Sequence, residues 1–188
     1  MLSREEAYQI VSTWTENQNL IKHMLAVETA MLGLARKFQI PNDKLQIWGI
    51  TGLLHDADYD KFPTEHPKKI IEELEKRGES TEIINAIKAH AWKYNGMDRE
   101  PQNNLEWSIY CCDELTGLIV AVTLIRPTRK IKDVTVDDIL KKWNKKDFAK
   151  GVERKNIELC EEKLGIKLND FIQIVLSSMQ SISDNLGL

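Results

Sequence analysis

Residues 52–60 read GLLHDADYD, an apolar run that ends in the pair His55-Asp56 and continues with Asp58 and Asp60 at alternate positions. Imidazole and carboxylate are the side chains that combine metal ligation with proton transfer near neutral pH. Other residues of the same two types stand where apolar ones belong. His23 shares a helical face with Leu20, Val27, Ala30 and Leu34, and His90 follows Ile83 and Ile87 by seven and three residues. Asp113 lies in the most apolar stretch of the chain, with Ile109, Tyr110, Gly117 and Val120 as its helical neighbours. By helical periodicity all three point inward.

Burying an unpaired charge is costly, and breaking a buried pair costs about 3–5 kcal/mol. No Lys or Arg follows Asp113 before Arg126 at the end of this stretch. Taken singly, an inward His is a hydrogen-bonded core residue and a buried Asp a structural one. Taken together, His23, His55-Asp56 and Asp113 favour a metal ion, which satisfies carboxylate and imidazoles at once. His66 either caps the helix that begins at Pro67 or joins the site, and His90 is a weaker candidate by itself. The spacing of Asp56, Asp58 and Asp60 also suggests a calcium loop, but that motif needs glycine at its sixth position and an acid at its twelfth. Here those positions are Lys61 and Pro67, so the calcium loop is rejected.

The elements that must position these residues read as helices almost throughout. Ser3 and Glu6 form a capping box for the first, and a second runs from about Asn19 to Phe38, closed by Pro41 and Asn42. A third, roughly Lys44 to Leu54, delivers the chain to His55, and DADYDKFPTEH is a loop. Pro67 suits the first turn of a fourth helix ending near Gly78, and Ser80 or Thr81 caps a fifth that carries His90. The sixth, about Asn104 to Ile125, is apolar on most sides and is the expected central helix. Thr135 and Asp138 open a short basic helix, followed by helices at about Val152 to Leu164, with Gly165 as C-cap, and Asn169 to Ile182. With no repeat or linker, the expectation is an all-α, single-domain helical bundle over residues 1–188 with a metal site at its centre.

Composition narrows the function. Of 188 residues 42% are hydrophobic and 29% charged, and no apolar run approaches the roughly 18 residues of a bilayer span. The first ten residues lack the pattern of a signal peptide, so a soluble, cytoplasmic protein with no membrane partner is expected. Cys111 and Cys112 are adjacent and Cys160 stands alone, which offers neither a C-x-x-C dithiol nor a thiolate zinc site. The net charge is −3, yet residues 126–155 hold 11 Lys and Arg against 5 Asp and Glu. Arg126, Lys142, Lys146 and Arg154, with Lys141 and Lys145, are therefore candidates for a positive rim that attracts a phosphate-bearing ligand. An acidic chain without a recognition motif does not read as a nucleic-acid binder. Trp92, Tyr94 and Trp143 would suit stacking on a base if exposed, although helical bundles ordinarily bury them.

The order His23, His55-Asp56, Asp113 resembles the H…HD…D signature of the HD-domain superfamily of metal-dependent phosphohydrolases, HDIG-like helical bundles with a central metal site. His66 and His90 fall between doublet and final aspartate, as in branches that bind two metals, including HD-GYP proteins and symmetrical diadenosine tetraphosphatases. The stretches NLIKHMLAVETAM, CDELTGLIVAVTLIRP and KKWNKKDFAKGVER further resemble a group of small standalone HD hydrolases.

The resemblance implies a motif core at about 17–126 with the helices of 135–182 packed on it. It also implies one or two divalent ions (Fe, Mn, Co, Ni or Zn), the first held by His23, His55, Asp56 and Asp113, with Asp56 bridging to a second held by His66 and His90. The reaction implied is hydrolysis of a phosphomonoester or phosphoanhydride, a nucleotide foremost, by a metal-bound hydroxide, with His55 and Asp56 at the catalytic centre. HDIG-type members have Ile-Gly after the doublet, often followed by a lysine; this chain reads HDADYDK, so Lys61, kept as a catalytic candidate, stands two positions late for equivalence. The absent G-Y-P element argues against a cyclic dinucleotide substrate. An HD-type di-iron oxygenase and a non-catalytic metal- or nucleotide-binding module are the alternatives.

Overall fold

The computed structural model describes residues 2–145 and 147–188. Among the described residues the regular elements are all helical: α1 (Arg4–Trp14), α2 (Gln18–Lys37), α3 (Leu45–Leu54), α4 (Lys68–Lys76), α5 (Thr81–His90), α6 (Asn104–Leu124), α7 (Val136–Trp143), α8 (Arg154–Leu164), α9 (Leu168–Ser181) and α10 (Ser183–Leu186), with 3-10 turns at Asn42–Lys44 and Ile131–Asp133. The all-α expectation is met.

Helix ends follow local chemistry. Ser3 and Glu6 exchange side-chain and backbone hydrogen bonds at the start of α1, and Thr135 and Asp138 do the same at α7. Asn17, Ser80 and Asn103 cap α2, α5 and α6 through their side chains. Gly165 ends α8 with φ +66°, a conformation that costs glycine little.

Two apolar clusters share α2. One gathers α2, α6, α8 and α9 around Val27, Leu34, Leu115, Ile119, Phe171 and Met179; the other gathers α1, α3, α4 and α5 around Met24, Leu53, Leu54, Ile70, Ile83 and Ile87. Leu25 and Ile47 pack against both. α6 is central, in contact with α2, α5, α7, α8 and α9. It differs from expectation in one respect: its 21 residues are long and apolar enough to cross a bilayer. Glu106, Asp113 and Glu114 interrupt the run that sequence reading looks for, and most of the helix is buried against its neighbours.

The approach of α3 to α2 depends on one residue. A Cβ at Gly52 would stand 2.8 Å from Glu28 Cα, Glu28 N and Val27 O, all backbone atoms. Glycine thus sets the spacing of the two helices three residues before His55.

Candidate metal centre

Five stretches of chain converge here. His23 comes from α2, His55 caps the C-terminus of α3, Asp56 follows in the next turn, His66 precedes α4, His90 ends α5 and Asp113 lies mid-way along α6. Asp56 sits between two histidine pairs. Its Oδ2 is 3.5 Å from His55 Nε2 and 3.7 Å from His23 Nε2, whereas its Oδ1 is 3.3 Å from His66 Nε2 and 3.7 Å from His90 Nε2. Asp113 Oδ1 closes the first group at 2.9 Å from His23 Nε2 and 3.5 Å from His55 Nε2. His66 Nε2 and His90 Nε2 are 3.3 Å apart. His23-His55-Asp56 and Asp56-His66-His90 are each grouped tightly enough to hold a metal ion.

The opposite edge of every ring is engaged, which fixes the imidazoles in orientation. His55 Nδ1 donates to Gly52 O at 2.8 Å and His90 Nδ1 to Ile87 O at 2.5 Å. His66 Nδ1 meets Asp58 Oδ1 at 2.6 Å, and Asp58 Oδ2 accepts from Ile70 N at 3.0 Å. His23 Nδ1 donates to Thr116 Oγ1 at 3.2 Å, the hydroxyl donating onward to Asp113 O. With Nδ1 as the protonated nitrogen throughout, four Nε2 lone pairs face the carboxylates.

Whether a metal suits this donor set is answered by His55. The residue is completely buried, and its Nε2 has no hydrogen-bond partner. An orphaned lone pair aimed at two carboxylates is satisfied by a cation, and imidazole with carboxylate suits a divalent transition metal. Electrostatics agree. Burial alone would depress the His55 imidazolium, but the charges of Asp56 and Asp113 outweigh it and lift its pKa to about 9. Burial would raise Asp113 and Asp56, yet His55 and the other imidazoles hold both below the usual carboxylate range. His90 moves down, chiefly by burial.

Over the centre lies a cavity of about 750 Å³, of a size that takes a small-molecule ligand. His23, Asp56, His66, His90 and Asp113 form its floor, and Tyr59, Trp92, Lys93, Tyr94, Tyr110, Glu114, Glu153 and Asn156 are among its walls. Burial and the charge of Asp113 push the Glu114 carboxyl up to about 7, although its Oε2 accepts from Glu153 N.

The structure thus brings together His23, His55, Asp56, His66, His90 and Asp113, and it separates the others. Lys61 is exposed, 5.5 Å from the Phe62 ring centroid, in a small cavity beside Trp14 and Glu16. The loop turns between Asp58, which goes inward, and Asp60, whose Oδ2 accepts from Glu16 N and Asn17 N, so the residue after Asp60 faces α1. The expectation of Lys61 at the catalytic centre is therefore corrected.

The basic rim is corrected as well. Arg126 pairs with Asp138 at 2.6 Å, tying α7 to the end of α6, and Lys142 lies over Phe148. Arg154 donates to the carbonyls of Phe148, Ala149 and Val152. None of the three lines the cavity; Arg126 meets a carboxylate, Lys142 a ring and Arg154 backbone carbonyls. Lys146 falls outside the described residues.

Sequence reasoning missed Lys93 and Glu114 as parts of the surroundings, and for Asp58 it left solvent exposure and contact with a ligand both open. Asn95-Gly96 after His90 marks a turn, and that signal could have drawn attention to Lys93. It also left Trp92 and Tyr94 as ring candidates of uncertain exposure; both line the cavity, with Tyr94 45% exposed.

Comparison with known proteins adds one finding. The family described as HD domain matches residues 20–118, more than half of the chain. No curated protein and no solved structure gives a significant match.

Proposed function

Because the chain belongs to the HD-domain family, whose members are generally metal-dependent phosphohydrolases, we propose that it hydrolyses a phosphomonoester or phosphoanhydride, a nucleotide foremost, with one or two divalent ions at the histidine-aspartate cluster. The observation that carries this reading is the fully buried His55 Nε2, without a hydrogen bond and facing Asp56 and Asp113. His23, His55, Asp56 and Asp113 would hold the first ion, and Asp56 with His66 and His90 the second. Ions so placed supply, when bound, acidification of a coordinated water and neutralisation of phosphoryl charge.

The chain's own residues do the rest. Gly52, Ile87, Asp58 and Thr116 fix the four rings so that no ligand must reorient on loading. The aromatic walls offer flat surfaces to the organic part of a substrate.

The test is phosphate release from nucleotides, dinucleoside polyphosphates and sugar phosphates, assayed metal-free and with Mn, Fe(II), Co, Ni, Zn or Mg. Metal-dependent release is expected, lost in Asp113→Asn together with metal content, while His66→Ala keeps one ion and loses the other. Silence across the panel with metal bound would overturn the hydrolase reading in favour of oxygen chemistry or a binding module.

A further inference from the structure

The cavity over the metal centre has an unusual charge pattern for a phosphate site. Among the described residues Lys93 is the one Lys or Arg in its lining, whereas Glu114 and Glu153 place carboxylates on another part of its wall. Among the described residues no Lys or Arg of 126–155 lines the cavity to offset them, and Arg126 and Arg154 are engaged elsewhere. Whatever anion enters must find its protein cation at Lys93.

The backbone around Lys93 is built with some effort. Lys93 has φ +68° and Asn95 φ +45°, both in the left-handed region, followed by Gly96 at +75°. Residues with a Cβ occupy that region at a cost and hold it where the surroundings impose it. Here Lys93 N donates to Met97 O at 2.8 Å, Met97 N to Tyr94 O at 2.8 Å, and Asn95 Nδ2 to His66 O at 2.9 Å. The turn is thus fastened to the carbonyl of one candidate ligand and begins three residues after another, His90. Lys93 Nζ rests 3.9 Å from the Trp92 ring centroid, and no carboxylate among the described residues forms an ion pair with it. A cation on an aromatic face keeps its N–H donors available.

Resting on the phosphohydrolase reading, we propose that Lys93 is the cation that holds the substrate's phosphoryl group at the metal centre and that, being single, it restricts the cavity to substrates with one phosphate. Beside the metal centre, a nucleoside monophosphate or another aromatic phosphomonoester meets one protein cation, the ring walls of Tyr94 and Tyr110, and the acceptors of Glu114 and Glu153. A triphosphate brings two further charged groups to those carboxylates without added cations, and like charges repel.

The experiment compares Mn-loaded wild type, Lys93→Met and Lys93→Gly, the last keeping the left-handed turn accessible should the methionine variant fold poorly. Inorganic phosphate binding is measured by calorimetry, alongside KM and kcat on the best substrate of the screen. Both variants are expected to bind phosphate roughly tenfold or more weakly, as loss of a charge-assisted contact implies, with KM raised by a similar factor, kcat changed less than about threefold and metal content unchanged. Unchanged phosphate binding overturns the role of Lys93, and so does a wild type that binds no phosphate. Equal kcat/KM on mono- and triphosphates overturns the restriction to one phosphate. Lys93-dependent phosphate binding without turnover of any ester would instead leave Lys93 in place and overturn the hydrolase reading.

Discussion

Four imidazole lone pairs held 2.9–3.7 Å from carboxylate oxygens require a positive charge among them. In the metal-free protein a proton supplies that charge: Asp56 and Asp113, against the pull of burial, lift His55 to about 9, so its Nε2 carries the proton and is a lone pair only once that proton has left. The consequence for stability has a sign. Unfolded His titrates near 6.5, so the His55 contribution is fully present below that pH and is lost as pH rises through about 9. Metal-free protein should lose stability by up to about 1.4 kcal/mol per pH unit between pH 6.5 and 8, below the ordinary range of its thiols. Urea melts across that interval check it, and His55→Gln should flatten the slope; a wild-type slope equal to that of the variant would show that the proton sits elsewhere. His23, His90 and Asp113 stood out because polarity at apolar spacing is rare, whereas His66, in a loop, could be placed in the site only by the family resemblance. Which way Asp58 faces, solvent or ligand, could not be decided, since its inward turn depends on the loop rather than on periodicity.

Helix ends were the most readable part of the architecture, because Ser3, Ser80, Asn103, Thr135 and Gly165 act through local hydrogen bonds and local φ. What could not be read is how closely two helices approach. Gly52 looks like an ordinary helical glycine until Val27 and Glu28 are placed against it. Gly52→Ala gains helix propensity of about 1 kcal/mol but forces backbone apart, so net destabilisation of about 1–3 kcal/mol is expected. Because the same displacement separates His55 from His23, metal affinity should fall by roughly tenfold or more. Gly33→Ala is the comparison: there the obstructing atom is Ser178 Oγ, the end of a short side chain, and metal affinity should stay near wild type. Denaturant melts and metal titration of both variants decide. α10 also escaped sequence reading, because Ile182 interrupts the helical path with φ −118° and ψ 24° before the last turn.

At the scale of the whole molecule, the basic character of residues 126–155 was plain in the sequence, but its direction was not. Which surface a charge faces is settled by tertiary packing: Arg126 ties the end of α6 to α7, and Arg154 closes the loop that precedes α8. The centre's energetics also belong to this scale, since every ligand group is fastened to a different part of the bundle. Metal present at about a thousand times its dissociation constant stabilises by about 4 kcal/mol, which for a chain of this length is roughly 10 °C in Tm. Calorimetric scans before and after chelation, and again after restoring the metal, should show that drop and its recovery; an unchanged Tm with metal demonstrably removed would mean that the groups satisfy one another without it. Asp113 lies on α6, the centre of one apolar cluster, whereas His55, His66 and His90 lie at the ends of α3, α4 and α5, which build the other. An ion held by all of these residues would therefore be captured in full only after the two sides have met in register. Metal uptake by a refolding chain then serves as a clock for assembly, and a collapsed chain misaligned by a single helical turn would remain invisible to a metal indicator.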